Sequence, residues 1–310
     1  MKRVLITGGF GFIGSAVTRE LAAAGQEVFI LDNLSYGSKA FVEIDDAHFH
    51  HCNILDRQRV KDIVAAVRPE AVLHLAAIHF IPHCNKFPFE SANINIQGTM
   101  NVLDAAAAAG SVKQLFFAST AAVYPIVDHA IPETHPIGPL DIYGLSKVAG
   151  ERLCHEFFLA SGIATIICRF FNAFGPNETN PHLIPEIQKQ VNEGQRTLKL
   201  GNLDPKRDFI HTSDMARAIR QLLDVFRAGY DVFNLGRGEE YSVREIVAAF
   251  SRNIAQDIHI EVDPDRLRKT DRLHLLADIS KLRSRAGWEP RVSLDEGLRT
   301  LLAHAPSQAK

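Results

Sequence analysis

Short apolar runs alternate with amphipathic stretches along the first half of this chain. The runs at residues 4–7, 28–31, 71–75, 114–118 and 163–169 are rich in Val, Ile, Leu and Phe. Between them, residues 11–24, 57–67, 91–109 and 143–160 place apolar positions at helical spacing, and a further short segment ends near Cys52 before the helix at 57–67. Apolar runs with no polar alternation, divided by helices, predict βαβ units and therefore an α/β fold: a doubly wound parallel sheet covered by helices on both faces. Such a sheet takes ligands beyond the C-terminal ends of its strands.

The rhythm breaks after Arg169, where Asn172, Gly175-Pro176, Asn180-Pro181 and Pro185 interrupt it. A first domain over residues 1–170 and a smaller C-terminal substrate-binding lobe over 171–310 are expected. The later runs at 209–210 and 232–235 and the amphipathic stretch 242–254 suggest that the chain returns to the first domain around 207–236. No internal repeat or low-complexity tract interrupts it, and the alanines of 105–109 read as helix filler.

Composition narrows the class. With 310 residues and a hydrophobic share of 46%, the chain can bury a sizeable core. Lys+Arg of 34 against Asp+Glu of 36 leaves a net charge of −2, which gives no reason to expect nucleic acid or an anionic membrane as partner. Cys52, Cys84, Cys154 and Cys168 are far apart with no Cys-x-x-Cys, against a zinc ribbon or a dithiol redox motif. The N-terminus enters a strand-like run at once, leaving no room for a signal peptide, and no apolar stretch approaches the roughly 18 residues of a membrane helix. A cytoplasmic location is the expectation.

Two motifs carry chemistry. Thr7-Gly8-Gly-Phe-Gly11-Phe12-Ile13-Gly14 follows the first predicted strand and opens the first helix, the setting of the Rossmann dinucleotide loop. Its glycines allow a tight turn, close approach to a pyrophosphate and close helix packing, while the helix N-terminus offers free N–H groups to the anion. Asp32 ends the second predicted strand, where a carboxylate accepts from the adenosine ribose hydroxyls; with Asn33 rather than Arg after it, the pattern selects NAD over NADP. Asp32 as a turn residue is the plainer alternative. The second motif, Tyr143-x-x-x-Lys147, puts a phenol and an ammonium on one helix face. A nearby lysine charge favours the phenolate, making a base from a group with a reference pKa of about 10. Taken alone, the spacing fits a solvated helix face equally well.

Together with these, Leu31-Asp-Asn-Leu-Ser35, His74-Leu-Ala-Ala77, Asn95-Ile-Gln-Gly-Thr99, Ser119-Thr-Ala-Ala-Val-Tyr124, Arg169-Phe-Phe-Asn-Ala-Phe-Gly-Pro176, His182-Leu-Ile-Pro185, Arg207-Asp-Phe-Ile-His211 and Ala277-Asp-Ile-Ser-Lys281 occur in one order. Over nearly its whole length the chain resembles the extended short-chain dehydrogenases/reductases, in particular their nucleotide-sugar epimerases and dehydratases of the UDP-glucose 4-epimerase type. The resemblance implies an NAD-dependent isomerase with Tyr143 as base, Lys147 as its electrostatic support and Thr120 as hydrogen-bond partner of the reacting oxygen. It also implies Leu75, Ala76 and Ala77 lining the cofactor site, Asn95 near the nicotinamide half, and Asn53 with Ile54 at the adenine, although the family places Asp at position 53. Where the family's dehydratases carry Asp and Glu, this chain has Ala121 and Ala122, which points to epimerisation through a 4-keto intermediate.

On the same resemblance, Asn172, His182, Leu183, Arg207, Arg268 and Asp271 contact the nucleotide part of a UDP-hexose or UDP-N-acetylhexosamine. Leu275, standing where the small-sugar epimerases have Tyr, leaves room for an N-acetyl group. His79 replaces the family lysine, in a segment unlike the usual epimerase sequence. His79, His83 and Cys84 have no metal-ligand spacing; no metal is expected, and His79 is read as shaping the substrate pocket. Another nucleotide-sugar reductase or dehydratase is the alternative within the family, and a non-catalytic NAD-binding scaffold the alternative outside it. A homodimer through the helices at 91–109 and 143–160 follows by analogy.

Overall fold

The structure, a computed structural model, describes residues 2–267 and 272–303. The strands in chain order are β1 (Arg3–Thr7), β2 (Glu27–Asp32), β3 (Phe49–His51), β4 (Ala71–His74), β5 (Gln114–Thr120), β6 (Ala164–Phe170), β7 (Asn172–Phe174), β8 (Thr197–Leu200), β9 (Lys206–His211), β10 (Tyr230–Leu235), β11 (Glu240–Ser242) and β12 (His259–Val262). Seven form one parallel sheet in the order β10-β6-β5-β4-β1-β2-β3. The chain leaves β1 toward β2 and β3, then reverses through β4 toward β10. That reversal opens a crevice beyond the ends of β1 and β4, where Thr7 faces Leu31 on one side and His74 on the other.

Both faces of this sheet are covered, which is why its strands read as unbroken apolar runs. Successive side chains point to opposite faces. Thus Val4 and Ile6 enter one core, with Val17 and Leu21 of α1 (Phe12–Ala23), while Leu5 enters the other, with Val60 and Ile63 of α2 (Arg57–Val67). Each such side chain stabilises the fold by about 1.5–3 kcal/mol relative to leaving it in water.

The segment before β5 holds α3 (Ile81–Lys86), α4 (Pro88–Ala92), a single π-turn at Asn93–Gln97, and α5 (Gly98–Ala108). Helix α6 (Ile142–Ser161) is fixed at both ends. Asp141 accepts from Gly144 N at 2.7 Å, and Gly162 ends the helix in the left-handed region at φ 68°. A third core gathers Phe174, Ile187, Leu198, Phe250 and Leu298, from α7 (Leu183–Asn192), β7, β8 and α9 (Val243–Ile254) among others. Here lie the three-stranded sheet β11-β9-β7 and the parallel pair β12-β8.

Residues 206–211, in the segment expected to return to the first domain, pair instead with β7 and β11 in this smaller sheet. The return comes with α8 (Thr212–Val225), which contributes Met215, Ile219 and Leu222 to the core of the large sheet, and with β10 beside β6. Leu275, Ala277, Leu282 and Trp288 reach that core as well, and the Trp288 indole donates to Asp214 O at 3.1 Å. All four cysteines are buried free thiols. Among the described residues no helix is long and apolar enough to cross a membrane.

Candidate active site

A cavity of ≈ 1360 Å³ runs from the glycine loop across the strand ends to the smaller lobe. It exceeds the roughly 300–1,000 Å³ that one small ligand takes, so it has room for two. At its floor α1 starts at Gly11 with no side-chain cap and no acidic residue in its first turn, leaving backbone N–H groups and the positive helix end for an anion. Gly8 has φ 74°, and a Cβ there would lie 2.9 Å from the Ala76 backbone; one on Gly14 would lie 2.0 Å from Gly8 O. Only glycine fits either place. Phe12 and Ile13 line the cavity beside them, as do Leu75, Ala76 and Ala77 from the end of β4.

Asp32 ends β2 and accepts from Phe10 N at 3.0 Å and Leu34 N at 2.8 Å. Burial raises its pKa, and those amide bonds act in the opposite sense. Asn33, Asn53 and Ile54 line the cavity around it; Asn53 accepts from Leu55 N at 2.9 Å, which turns its amide NH₂ outward. A glycine cradle that any Cβ would fill, an uncapped helix start and a carboxylate at the end of β2 fit a nicotinamide dinucleotide.

Asn95 is placed otherwise than expected. It is not in the cavity wall but buried in the π-turn, where Oδ1 accepts from Ile78 N at 2.8 Å and Nδ2 donates to Ile78 O at 2.9 Å and Ser146 Oγ at 3.0 Å. Its side chain is committed on all three sides. It therefore ties the segment after Ala77 to α6 rather than facing a cofactor.

Thr120, Tyr143 and Lys147 meet in the cavity wall, brought from the end of β5 and the first turns of α6. Thr120 Oγ1 accepts from Ala122 N at 3.1 Å, which closes the turn that carries Ala121 and Ala122. Burial pushes the Tyr143 phenol above its ordinary value, while a hydrogen bond with Thr120 works to lower it. Lys147 is fully enclosed: it donates to Ala118 O at 2.7 Å and lies 4.8 Å above the Phe117 ring. Burial lowers its pKa to about 8. In the protein without cofactor, burial is the largest influence on both the phenol and the ammonium.

Behind the pair, Glu151 takes a bidentate ion pair from Arg169 at 2.9 and 2.7 Å and a bond from Ser119 Oγ at 2.5 Å, fixing β5 and β6 against α6.

On the lobe side Asn172, His182, Leu183, Arg207 and Leu275 line the cavity, with His79 opposite. Arg207 donates to Lys206 O at 2.8 Å and Arg272 O at 2.6 Å. Arg268 and Asp271 lie outside the described residues. Burial holds His79 neutral, with a pKa lowered to about 3. His83 pairs with Glu90 at 3.0 Å, and the Cys84 thiol is buried against Ile78 O, so neither joins His79 in a cluster. Among the lining residues that escaped the sequence reading are Glu178, Asn180 and Arg272. Glu178 is buried enough to raise its pKa to about 7, and Arg272 braces the cavity by donating to Tyr124 O at 2.8 Å and Pro125 O at 3.0 Å. Only the density of turn residues between Gly175 and Pro185 hinted at a functional loop there.

The fold, the glycine loop and Asp32 define a nicotinamide-dependent enzyme of the Rossmann class, with Thr120, Tyr143 and Lys147 lining the same cavity. Residues 4–236 match the NAD dependent epimerase/dehydratase family, and the chain belongs to that family. The UDP-glucose 4-epimerase of Rhizobium meliloti (strain 1021) is 31% identical over 312 residues, covering 94% of this chain and 94% of the relative. The GDP-6-deoxy-D-mannose reductase of Pseudomonas aeruginosa is 27% identical over 322 residues, covering 100% and 99%. Among solved structures, UDP-glucose 4-epimerase from Brucella ovis in complex with NAD superposes with a TM-score of 0.90 at 28% identity, over 98% of each chain. The chain is an NAD-dependent enzyme of the epimerase kind.

Proposed function

We propose that this protein interconverts UDP-hexoses, or UDP-N-acetylhexosamines, at C4. The observation that carries the reading is a Thr–Tyr–Lys centre in the same cavity as the glycine loop, with Ala121 and Ala122 where elimination would need an acid and a base. NAD, when bound, accepts a hydride from the sugar and returns it.

Gly8, Gly11, Phe12, Ile13 and Gly14 would hold the pyrophosphate, Asp32 with Asn33 the adenosine ribose, Asn53 with Ile54 the adenine, and Leu75, Ala76 and Ala77 the nicotinamide half. Tyr143 removes the sugar hydroxyl proton. Its phenol is neutral while the site holds only protein, and positive charge delivered beside Lys147 favours the phenolate. Thr120 donates to the same sugar oxygen and fixes its orientation. On the lobe side, Asn172, His182, Leu183 and Arg207 hold the nucleotide diphosphate, joined by Arg268 and Asp271, with Arg207 supplying paired donors to phosphate oxygens. Leu275, without a hydroxyl, and His79 border the sugar and leave space for an N-acetyl group. Four reduced, buried thiols and a nucleotide substrate suit the cytoplasm. Exposed Phe89 and Met100 on α4 and α5, and Leu145 and Leu159 on α6, support a homodimer through these helices, which sedimentation equilibrium tests.

A second reading, a nucleotide-sugar reductase or dehydratase, is favoured by the Pseudomonas relative and by Glu178, a cavity carboxyl with a pKa of about 7 that could supply a proton. The test separates them. With UDP-glucose or UDP-N-acetylglucosamine and NAD, the wild type yields the C4 epimer, and Tyr143→Phe lowers turnover by at least about 10²–10⁴-fold while NAD stays bound. Undiminished turnover in the variant removes Tyr143 from the reaction; a 4-keto-6-deoxy product establishes the second reading; rejection of the acetylated sugar removes the role given to Leu275.

A further inference from the structure

His79, from the loop after β4, meets Glu178 and His182 from the loop that leads into α7. One imidazole nitrogen from each histidine and one carboxylate oxygen lie within 4.8 Å of one another. We propose that these three residues form a binding site for a divalent transition metal of the zinc class, open to the substrate cavity.

The chemistry of the donors supports it. A neutral imidazole nitrogen and a carboxylate oxygen both present lone pairs, so their convergence is a concentration of acceptors that calls for a cation or for N–H donors. Asn180 Nδ2 reaches toward two of them, 3.2 Å from His79 Nε2 and 3.4 Å from Glu178 Oε1. Both contacts are long, because one amide is stretched between two acceptors. Asn180 N also donates to Glu178 Oε1 at 2.9 Å, which orients the carboxylate. Rotating the Asn180 carboxamide by half a turn exchanges Nδ2 for Oδ1 and adds an oxygen as a fourth ligand to the set.

Two histidines and a carboxylate are a ligand set that suits zinc and neighbouring divalent metals and leaves coordination positions open. Tetrahedral ligands at about 2.0–2.1 Å from zinc stand about 3.3 Å apart, so the three side chains draw in by no more than about 1.5 Å, within reach of χ rotation. The frame is already stiff: His182 is the first residue before α7, its ring met edge-on by Phe80 at 5.4 Å and tilted against His79 at 5.8 Å. All three ligands line the same cavity as Thr120 and Tyr143. A bound cation would therefore lie on the wall of the substrate cavity, with oxygen atoms of the substrate as natural further ligands. The site rests on the ligand geometry and stands or falls independently of which sugar reaction the enzyme performs.

The experiment uses the full chain dialysed against a chelator. Cobalt(II) is titrated with visible absorption as readout, and zinc(II) by calorimetry, for the wild type and for His79→Ala, Glu178→Gln, His182→Ala and His83→Ala, each checked for folding by circular dichroism. One equivalent should bind the wild type and the His83 variant, with affinity at least about tenfold weaker in each of the other three. Asn180→Asp, which replaces the amide donor by a further carboxylate, should bind zinc more tightly and keeps the test decisive where a ligand variant does not fold. Absence of stoichiometric binding to the wild type, or binding that all three ligand variants leave unchanged, overturns the proposal.

Discussion

Burial changes the chemistry of Lys147. It sits wholly inside the protein, one carbonyl and one aromatic face around its ammonium, and its pKa falls from 10.5 to about 8. The sign of the consequence is fixed by linkage. Between about 8 and 10.5 the unfolded chain holds the proton that the folded chain has released, so stability rises with pH across that window. The gain is on the order of 3 kcal/mol at about 1.4 kcal/mol per pKa unit. Chemical denaturation of the wild type and Lys147→Met at a series of pH values isolates it: the wild type should gain on the variant from pH 8 to 10.5. A constant difference would mean that the lysine is solvated. The identity of the Tyr–Lys–Thr set was legible from spacing and motif order, but its titration was not. Sequence shows that two groups share a helix face; only packing shows that burial acts on both.

At the scale of elements, the π-turn at Asn93–Gln97 is the most specific device in the fold. One extra residue in the helical turn lets Asn95 face inward, where it bonds Ile78 on both sides of its peptide and reaches Ser146 on α6. The loop that follows β4, and with it Ala76 and Ala77, is thereby held to the helix that carries Tyr143. Asn95→Ala leaves three buried groups without that partner and should cost about 2–4 kcal/mol of stability, read from urea unfolding. A change within about 0.5 kcal/mol would show that the tie is dispensable. Sequence patterning found a helix over this region and could not find the bulge, because hydrophobic period distinguishes helix from strand and not a 3.6-residue turn from a wider one. The same holds for Glu178 and Asn180, which become a site only because a turn-rich loop folds back onto His79.

For the molecule as a whole, the seven-stranded sheet supplies the cofactor half of the cavity and the smaller sheets the other half, with the chain passing between them repeatedly. Alternating runs and helices made the large sheet readable through β6, since β1, β4, β5 and β6 are buried along most of their length. Beyond that the pattern blurs: β9 and β10 both carry short apolar runs, yet one joins the small sheet and the other the large, a choice made by tertiary pairing. Leu275 and Trp288 likewise return to the first core from the far end of the chain. The account of function depends on this enclosure, because a hydride removed from the sugar must remain in the cavity until it is returned.

That claim is tested most directly with UDP-glucose carrying deuterium at C4. After equilibration with the enzyme and NAD, NMR should show UDP-galactose that retains the deuterium at C4, with no net reduced cofactor. Loss of the label, or reduced cofactor accumulating in step with a keto sugar, would contradict reversible oxidation at a single carbon.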